Sequence, residues 1–154
     1  MSEEVLTSAE HYPQLMLEGQ LCFPLYAAAR RVVNYYTPLL KPLGLTYTQY
    51  IVFLCLWEYG KSTVGDICRR LYLDNGTITP LIKRMEQEGY VTRCRCRQDE
   101  RVVHVELTEK GWALREKAKE IPASVGGCVE IPGEDAMALY RVLHEFLRGG
   151  AEQD

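Results

Sequence analysis

The chain has 154 residues, of which 47% are hydrophobic and 25% charged, and its formal net charge is −3 at pH 7. That length suits one domain able to bury about 70% of its unfolded surface, and the balance is globular, not disordered or fibrous. No apolar run approaches the ~18 residues of a membrane span. The opening "MSEEVLTSAEHY" lacks the basic start and apolar core of an export signal, so the chain reads as cytoplasmic with no membrane partner. Its six cysteines (22, 55, 68, 94, 96, 128) then read as free thiols, among which any bond would be a signal, not a scaffold.

Residues 1–14 read as a loose arm. From 15 to 40 the apolar spacing of Leu21, Leu25, Ala28 and Val32 is helical. Pro24 suits a first turn and would disturb an interior, which puts the start of the helix proper at Cys22 or Phe23. "KPLGLT" is a break, and "TYTQYIVFLCLWEYG" is a second helix, apolar nearly all round and therefore central, ended by Gly60. In "STVGDICRRLYL" Thr63 and Asp66 have the spacing of a capping box ahead of a short amphipathic helix.

"DNGT" is a turn, and "ITPLIKRMEQEGY" a further helix. Its start is open. Thr79 and Pro80 would suit a cap and first position, while Asp74 or Asn75 could cap an earlier start with Pro80 under strain. "YVTRCRCR" and "RVVHVELT" alternate on either side of "QDE" and predict a two-stranded hairpin. Arg93, Arg95 and Arg97 share one face of it, Cys94 and Cys96 the other. "TEKGWALREKAKEIPASV" predicts a long charged helix interrupted at Pro122, and "GEDAMALYRVLHEFLRG" an amphipathic last helix.

A short helix, a tight turn, a second helix and a basic hairpin is the order of a winged helix-turn-helix. A helix fits the major groove, where base edges are distinguishable. The second helix opens with short polar groups, Asn75, Thr77 and Thr79, beside Pro80, and carries Lys83 and Arg84 a turn later. Arg95, Arg97 and Arg101 gather at the hairpin tip, and an arginine there suits the negative potential of a narrow minor groove. Asp99 is spaced to hold the Arg101 guanidinium by a charge-assisted hydrogen bond.

"LTYTQYIVFLCLWE", "LYLDNGTITPLIKRMEQEGYVTR" and "DERVVHVELTEKG" resemble the MarR family of bacterial transcription regulators. "QLCFPLYAAAR" followed by "YYTPLL" is similar to the organic hydroperoxide resistance branch. The resemblance implies a mainly α fold with a small β-hairpin wing, dimerised by its N- and C-terminal helices. Residues 15–150 would form one domain, with 15–45 and 109–150 as dimerisation helices and 62–108 as the DNA-binding winged helix. The implied partners are a second copy of the chain and double-stranded operator DNA, with half-sites roughly 34 Å apart or a multiple of that. The implied role is repression.

A free thiol of pKa ~8.5 is only a few per cent thiolate at neutral pH, and a helix N-terminus favours the anion that attacks peroxide. Cys22 falls at such a position, with Tyr26, Tyr35, Tyr36, Tyr47 and Tyr50 as nearby phenols. In the family that the chain resembles, the cysteine preceding F-x-L-Y is the peroxide-reactive residue. Tyrosines matching Tyr36 and Tyr47 come from the partner subunit and bond its sulfur. The sulfenic acid is then captured by a small thiol, oxidised further, or joined to a second cysteine of the partner. Cys128, beside Gly126 and Gly127, lies where that second cysteine would be expected. Oxidation on a dimerisation helix would re-space the two recognition helices and release DNA.

Cys55 and Cys68 read as packed small hydrophobes. Cys94, Cys96 and His104 could hold a soft metal but have no close fourth ligand, so strand packing is the reading, with neither metal nor cofactor. His11, His104 and His144 have no partner for nucleophilic catalysis, and no oxyanion or nucleophile-elbow motif accompanies Cys22, so no enzyme is expected. Two alternatives stay open: a regulator that responds to a small aromatic ligand, and a thiol peroxidase without DNA.

Overall fold

The computed structural model describes residues 12–150; His11 and most of the expected arm lie outside them. Two single 3-10 turns, Pro13–Leu15 and Leu17–Gly19, lead into helix α1, Cys22–Leu40. The helical signal that begins at Leu15 is thus broken before Cys22, where Pro24 occupies the first turn and its missing N–H costs nothing. A 3-10 turn, Lys41–Leu43, links α1 to α2, Tyr47–Tyr59. Thr46 and Gln49 close a capping box at its start, with Gln49 N–H donating to Thr46 Oγ1 at 3.2 Å and Thr46 N–H to Gln49 Oε1 at 2.9 Å.

Helix α2 buries Tyr50, Val52, Phe53, Cys55 and Leu56, as its all-round apolar composition requires. Around it stand β1 (Ser62–Thr63), α3 (Val64–Leu71), α4 (Asn75–Gln87), β2 (Val91–Arg95) and β3 (Val103–Leu107). Then follow α5 (Glu109–Ala118), α6 (Ile121–Gly126) and α7 (Gly133–Gly150). Ile78, Ile82 and Met85 recur at helical steps on α4 and are fully buried, with Ile67 of α3, Val91 of β2 and Val105 of β3. Each such side chain contributes roughly 1.5–3 kcal/mol by leaving water. The opposite face of α4 is left to solvent.

The hairpin gains a strand that the sequence does not announce. Among the described residues the sheet is antiparallel in the order β1-β3-β2, with Ser62 paired to Val105 and Thr63 to His104. Two residues are too few to show an alternation. The charged helix also parts earlier than Pro122: α5 ends at Ala118, four residues before it, whose carbonyl the proline ring would strike in a continuous helix. Helix α7 differs from the rest, because no residue from 133 to 149 is buried. No single helix among the described residues is long and apolar enough to cross a membrane.

Gly111 lies where α5 touches the sheet. A Cβ there would overlap the Tyr90 carbonyl oxygen and stand 2.8 Å from Leu107 Cδ2, while Trp57 Nε1 donates to the Gly111 carbonyl at 3.1 Å. Gly111→Ala is expected to destabilise the fold by about 1–3 kcal/mol, read as a lowered melting temperature.

Candidate nucleic-acid interface and thiol site

Helix α3 is capped as its spacing predicts. Asp66 N–H donates to Thr63 Oγ1 at 3.0 Å, and Thr63 Oγ1–H to Asp66 Oδ2 at 2.7 Å. Those bonds, with Arg69 Nη2 at 2.7 Å from Asp66 Oδ1, bring the Asp66 carboxyl down to about 2. Helix α4 takes the earlier of its two possible starts: Asp74 is the N-cap, accepting from Thr77 N–H at 2.8 Å and Thr77 Oγ1–H at 3.1 Å. Pro80 therefore stands inside the helix. Its missing N–H leaves the Gly76 carbonyl without a helical partner, and both residues are exposed, where water can serve.

Asn75, Thr77, Pro80, Lys83 and Arg84 are exposed along α4, and Thr79 is half-buried. This is the outward face expected of a recognition helix. Arg95 and Arg97 of the wing are exposed as well. Arg93 shares the strand face of Arg95 but is used by the protein itself. Its Nε lies 2.8 Å from Glu86 Oε2, and its N–H donates to Glu86 Oε1 at 3.1 Å, so it fastens the wing to α4.

The expected grip of Asp99 on the Arg101 guanidinium is corrected. Asp99 Oδ1 accepts instead from the Arg101 backbone N–H at 3.0 Å, and the Asp99 carbonyl from Val102 N–H at 3.0 Å. Asp99 thus shapes the tip, because a carboxylate two residues ahead of an N–H closes an Asx turn. Arg101 lines a concavity of about 410 Å³ together with Thr63, Asn75 and Thr79. The wing and α4 therefore share one hollow, which the sequence order could not show.

Cys22 is the first residue of α1 and is exposed. Tyr26 follows one turn later on the same face, with the Arg30 guanidinium 5.6 Å from its ring centroid. Tyr36, Tyr47 and Tyr50 form a cluster with centroids 4.9, 5.6 and 6.4 Å apart. Burial raises the pKa of Tyr36 and Tyr47, and that of Tyr50 to about 12, so all three remain O–H donors at neutral pH. The structure brings the tyrosines together but not to their own Cys22, because fourteen residues of α-helix span about 21 Å.

Cys128 follows α6, is exposed, and donates its S–H to the Ser124 carbonyl at 3.4 Å. It borders a groove against Ala28, Arg31, Val32 and Tyr35 of α1. Cys55 is buried, which raises its pKa. Cys68 is half-buried and raised chiefly for the same reason, and its S–H donates to Asn75 Oδ1 at 3.4 Å. Cys94 faces His104 across the ladder, and among the described residues no group of three or more His, Cys, Asp or Glu is placed to hold a metal.

A family model described as "Transcriptional regulator SarA/Rot" matches residues 34–121. The organic hydroperoxide resistance transcriptional regulator of Bacillus subtilis (strain 168) is 46% identical over 136 residues, covering 88% of this chain and 92% of that one. The chain belongs to the MarR family, in its organic hydroperoxide resistance branch. A second relative in sequence is the regulator TtmR of Methylorubrum extorquens (strain PA1), 46% identical over 123 residues, covering 80% of this chain and 63% of that one. The structure of reduced AbfR bound to DNA is 34% identical with a TM-score of 0.73, covering 91% of this chain and 97% of that one. Overoxidised AbfR bound to DNA is 32% identical with a TM-score of 0.71, covering 90% and 98%. Family membership and the winged-helix fold are thus as the sequence led us to expect.

The cap on α3 has a pH signature. A free Asp carboxyl titrates near ~4, whereas folding brings that of Asp66 down to about 2. Its contribution to stability is therefore complete above the unfolded value and lost as pH falls through the folded one. Thermal melts from about pH 5 down to about pH 2 should show Asp66→Asn losing less stability on acidification than the parent does.

Proposed function

We propose that the chain is a homodimeric, redox-sensing DNA-binding repressor that holds operator DNA when reduced and releases it when an organic hydroperoxide oxidises Cys22. One observation carries the reading: an outward recognition helix and arginine wing share the chain with an exposed thiol at the head of α1. Residues 62–108 are the DNA-binding unit. Asn75, Thr77, Thr79 and Pro80 approach base edges and sugar-phosphate, while Lys83, Arg84, Arg95, Arg97 and Arg101 supply cations, with Asp99 shaping the tip.

Residues 15–45 and 109–150 are the dimerisation segments. Leu21 is 82% exposed and Phe146 72%, and α7 has an apolar face that its own chain leaves open. Covering such surface by a second copy is favourable. A dimer also answers the 21 Å problem, since Cys22 can then meet Tyr36 and Tyr47 of the partner subunit, whose phenols donate to its sulfur, with Tyr26 alongside.

The thiolate attacks the terminal oxygen of the hydroperoxide and the O–O bond breaks. Sulfur keeps the hydroxyl as sulfenic acid, and the alkoxide takes a proton to leave as an alcohol. The thiol of Cys128 of the partner subunit then displaces that hydroxyl as water, forming a disulfide. To do so it must leave the Ser124 carbonyl, and Gly126 and Gly127 beside it ease that movement. The event occurs once per oxidation, as in a switch. Reduced and overoxidised AbfR, both captured on DNA, are relatives in which redox state and DNA occur in one protein.

The deciding measurement is promoter-DNA binding by the reduced protein and after cumene hydroperoxide. The parent should release DNA and Cys22→Ser should retain it; release by Cys22→Ser to the parent's extent would refute the sensor assignment. On a non-reducing gel the treated parent should run as a covalent dimer and Cys128→Ser as a monomer.

A further inference from the structure

Gln49 is 1% exposed, and among the described residues only Ser62 joins it as a buried polar or charged residue. A buried amide is unfavourable unless its groups are paired. The Oε1 of Gln49 accepts from Thr46 N–H at 2.9 Å, and its Nε2 donates to Glu88 Oε2 at 3.1 Å. The other Glu88 oxygen, Oε1, accepts from Arg84 Nε at 3.0 Å. Glu88 caps the C-terminus of α4, and Lys110 Nζ donates to its carbonyl at 2.7 Å. Gln49 stands two residues after Tyr47 and next to Tyr50, both of which pack on Tyr36. The first turn of α2 thus holds the tyrosine cluster on one side and the last turn of α4 on the other.

We propose that Gln49 and Glu88 are the coupling residues of the switch, passing a displacement of Tyr47 to the recognition helix and to Arg84. This rests on the redox reading above. Apolar helix contacts tolerate small slides, but an amide–carboxylate bond is met at one relative placement of its two helices. A shift in the first turn of α2 either carries Glu88 with it or strands a buried N–H. The second outcome is the unfavourable one, so the two ends move together. Two distinct places, the phenol cluster and the DNA face, are then biased through one hydrogen-bonded link, which is the physical content of coupling between sites.

The experiment uses the full chain, promoter DNA and two variants. Gln49→Met keeps length and loses the amide. Glu88→Gln keeps shape but has one acceptor oxygen where two are used. DNA affinity is read by anisotropy before and after cumene hydroperoxide, with oxidation of Cys22 followed by intact mass. Oxidation should weaken the parent by about tenfold or more. Each variant, reduced, should bind within about threefold of the parent and lose less than about threefold on oxidation, although its Cys22 is oxidised to the same extent. A folded variant that shows the parent's full loss overturns the coupling, and Glu88→Gln decides alone if Gln49→Met does not melt cooperatively. A parent that keeps its DNA once Cys22 is oxidised overturns the redox reading, and the coupling with it.

Discussion

An α-helix advances 1.5 Å per residue and does not fold back on itself, and that rigidity governs how this molecule can sense anything. Cys22 heads α1, while Tyr36 stands near its far end beside Tyr47 and Tyr50. One chain keeps this sulfur and those three phenols apart by construction. Two antiparallel copies of the same rod would bring the head of each to the tail of the other, so the sensor would exist only as a product of assembly. Under the proposed function the dimer would therefore complete the chemistry as well as cover apolar surface.

The winged half, which the proposed function sets against DNA, meets a different problem, since the chain as a whole is acidic with a net charge of −3. Apart from Arg70, which lies over the Tyr59 ring and donates to Ser62 Oγ, its cations divide into two sets. Arg69, Arg84 and Arg93 lie 2.7, 3.0 and 2.8 Å from Asp66, Glu88 and Glu86. Such half-exposed pairs contribute about 0–1 kcal/mol each, so their value lies in orientation. Arg93 ties wing to helix, and the Arg84–Glu88 pair braces the last turn of α4. Lys83, Arg95, Arg97 and Arg101 make up the second set, on the exposed surface of α4 and the wing. A local basic face on an acidic protein is what matters for a polyanion, because contact charges, not net charge, set counterion release.

Much of this was legible in the residues. The box at Thr63/Asp66 reduces to one polar side chain three residues ahead of another, and α2 is apolar enough to be central on composition alone; the same spacing at Thr46 and Gln49 closes a box beyond those expected from the sequence. What was not legible depends on tertiary placement. The start of α4 was ambiguous because Thr79 and Pro80 make as good a beginning as Asp74; inward packing of Ile78 decides for the longer helix and leaves Pro80 at the surface. Alternation puts Arg93 on one strand face with Arg95 and Arg97, but only the approach of Glu86 makes it a clasp between wing and α4. By sequence Asp99 is a partner for the Arg101 side chain, but the nearer donor is a backbone N–H. Gln49 gave no signal beyond its cap, since nothing local says that Glu88, thirty-nine residues on, will meet it.

Helix α7 has no buried residue between 133 and 149, so its order must be borrowed from whatever lies against it. If that is a second copy, folding of this segment and pairing of subunits are one reaction, and the population of competent regulator rises with protein concentration. Newly made chains at low abundance would then carry an uncovered amphipathic tail, open to proteases until a mate arrives. Supply of the regulator would in that way acquire a threshold set by mass action, independent of any oxidant.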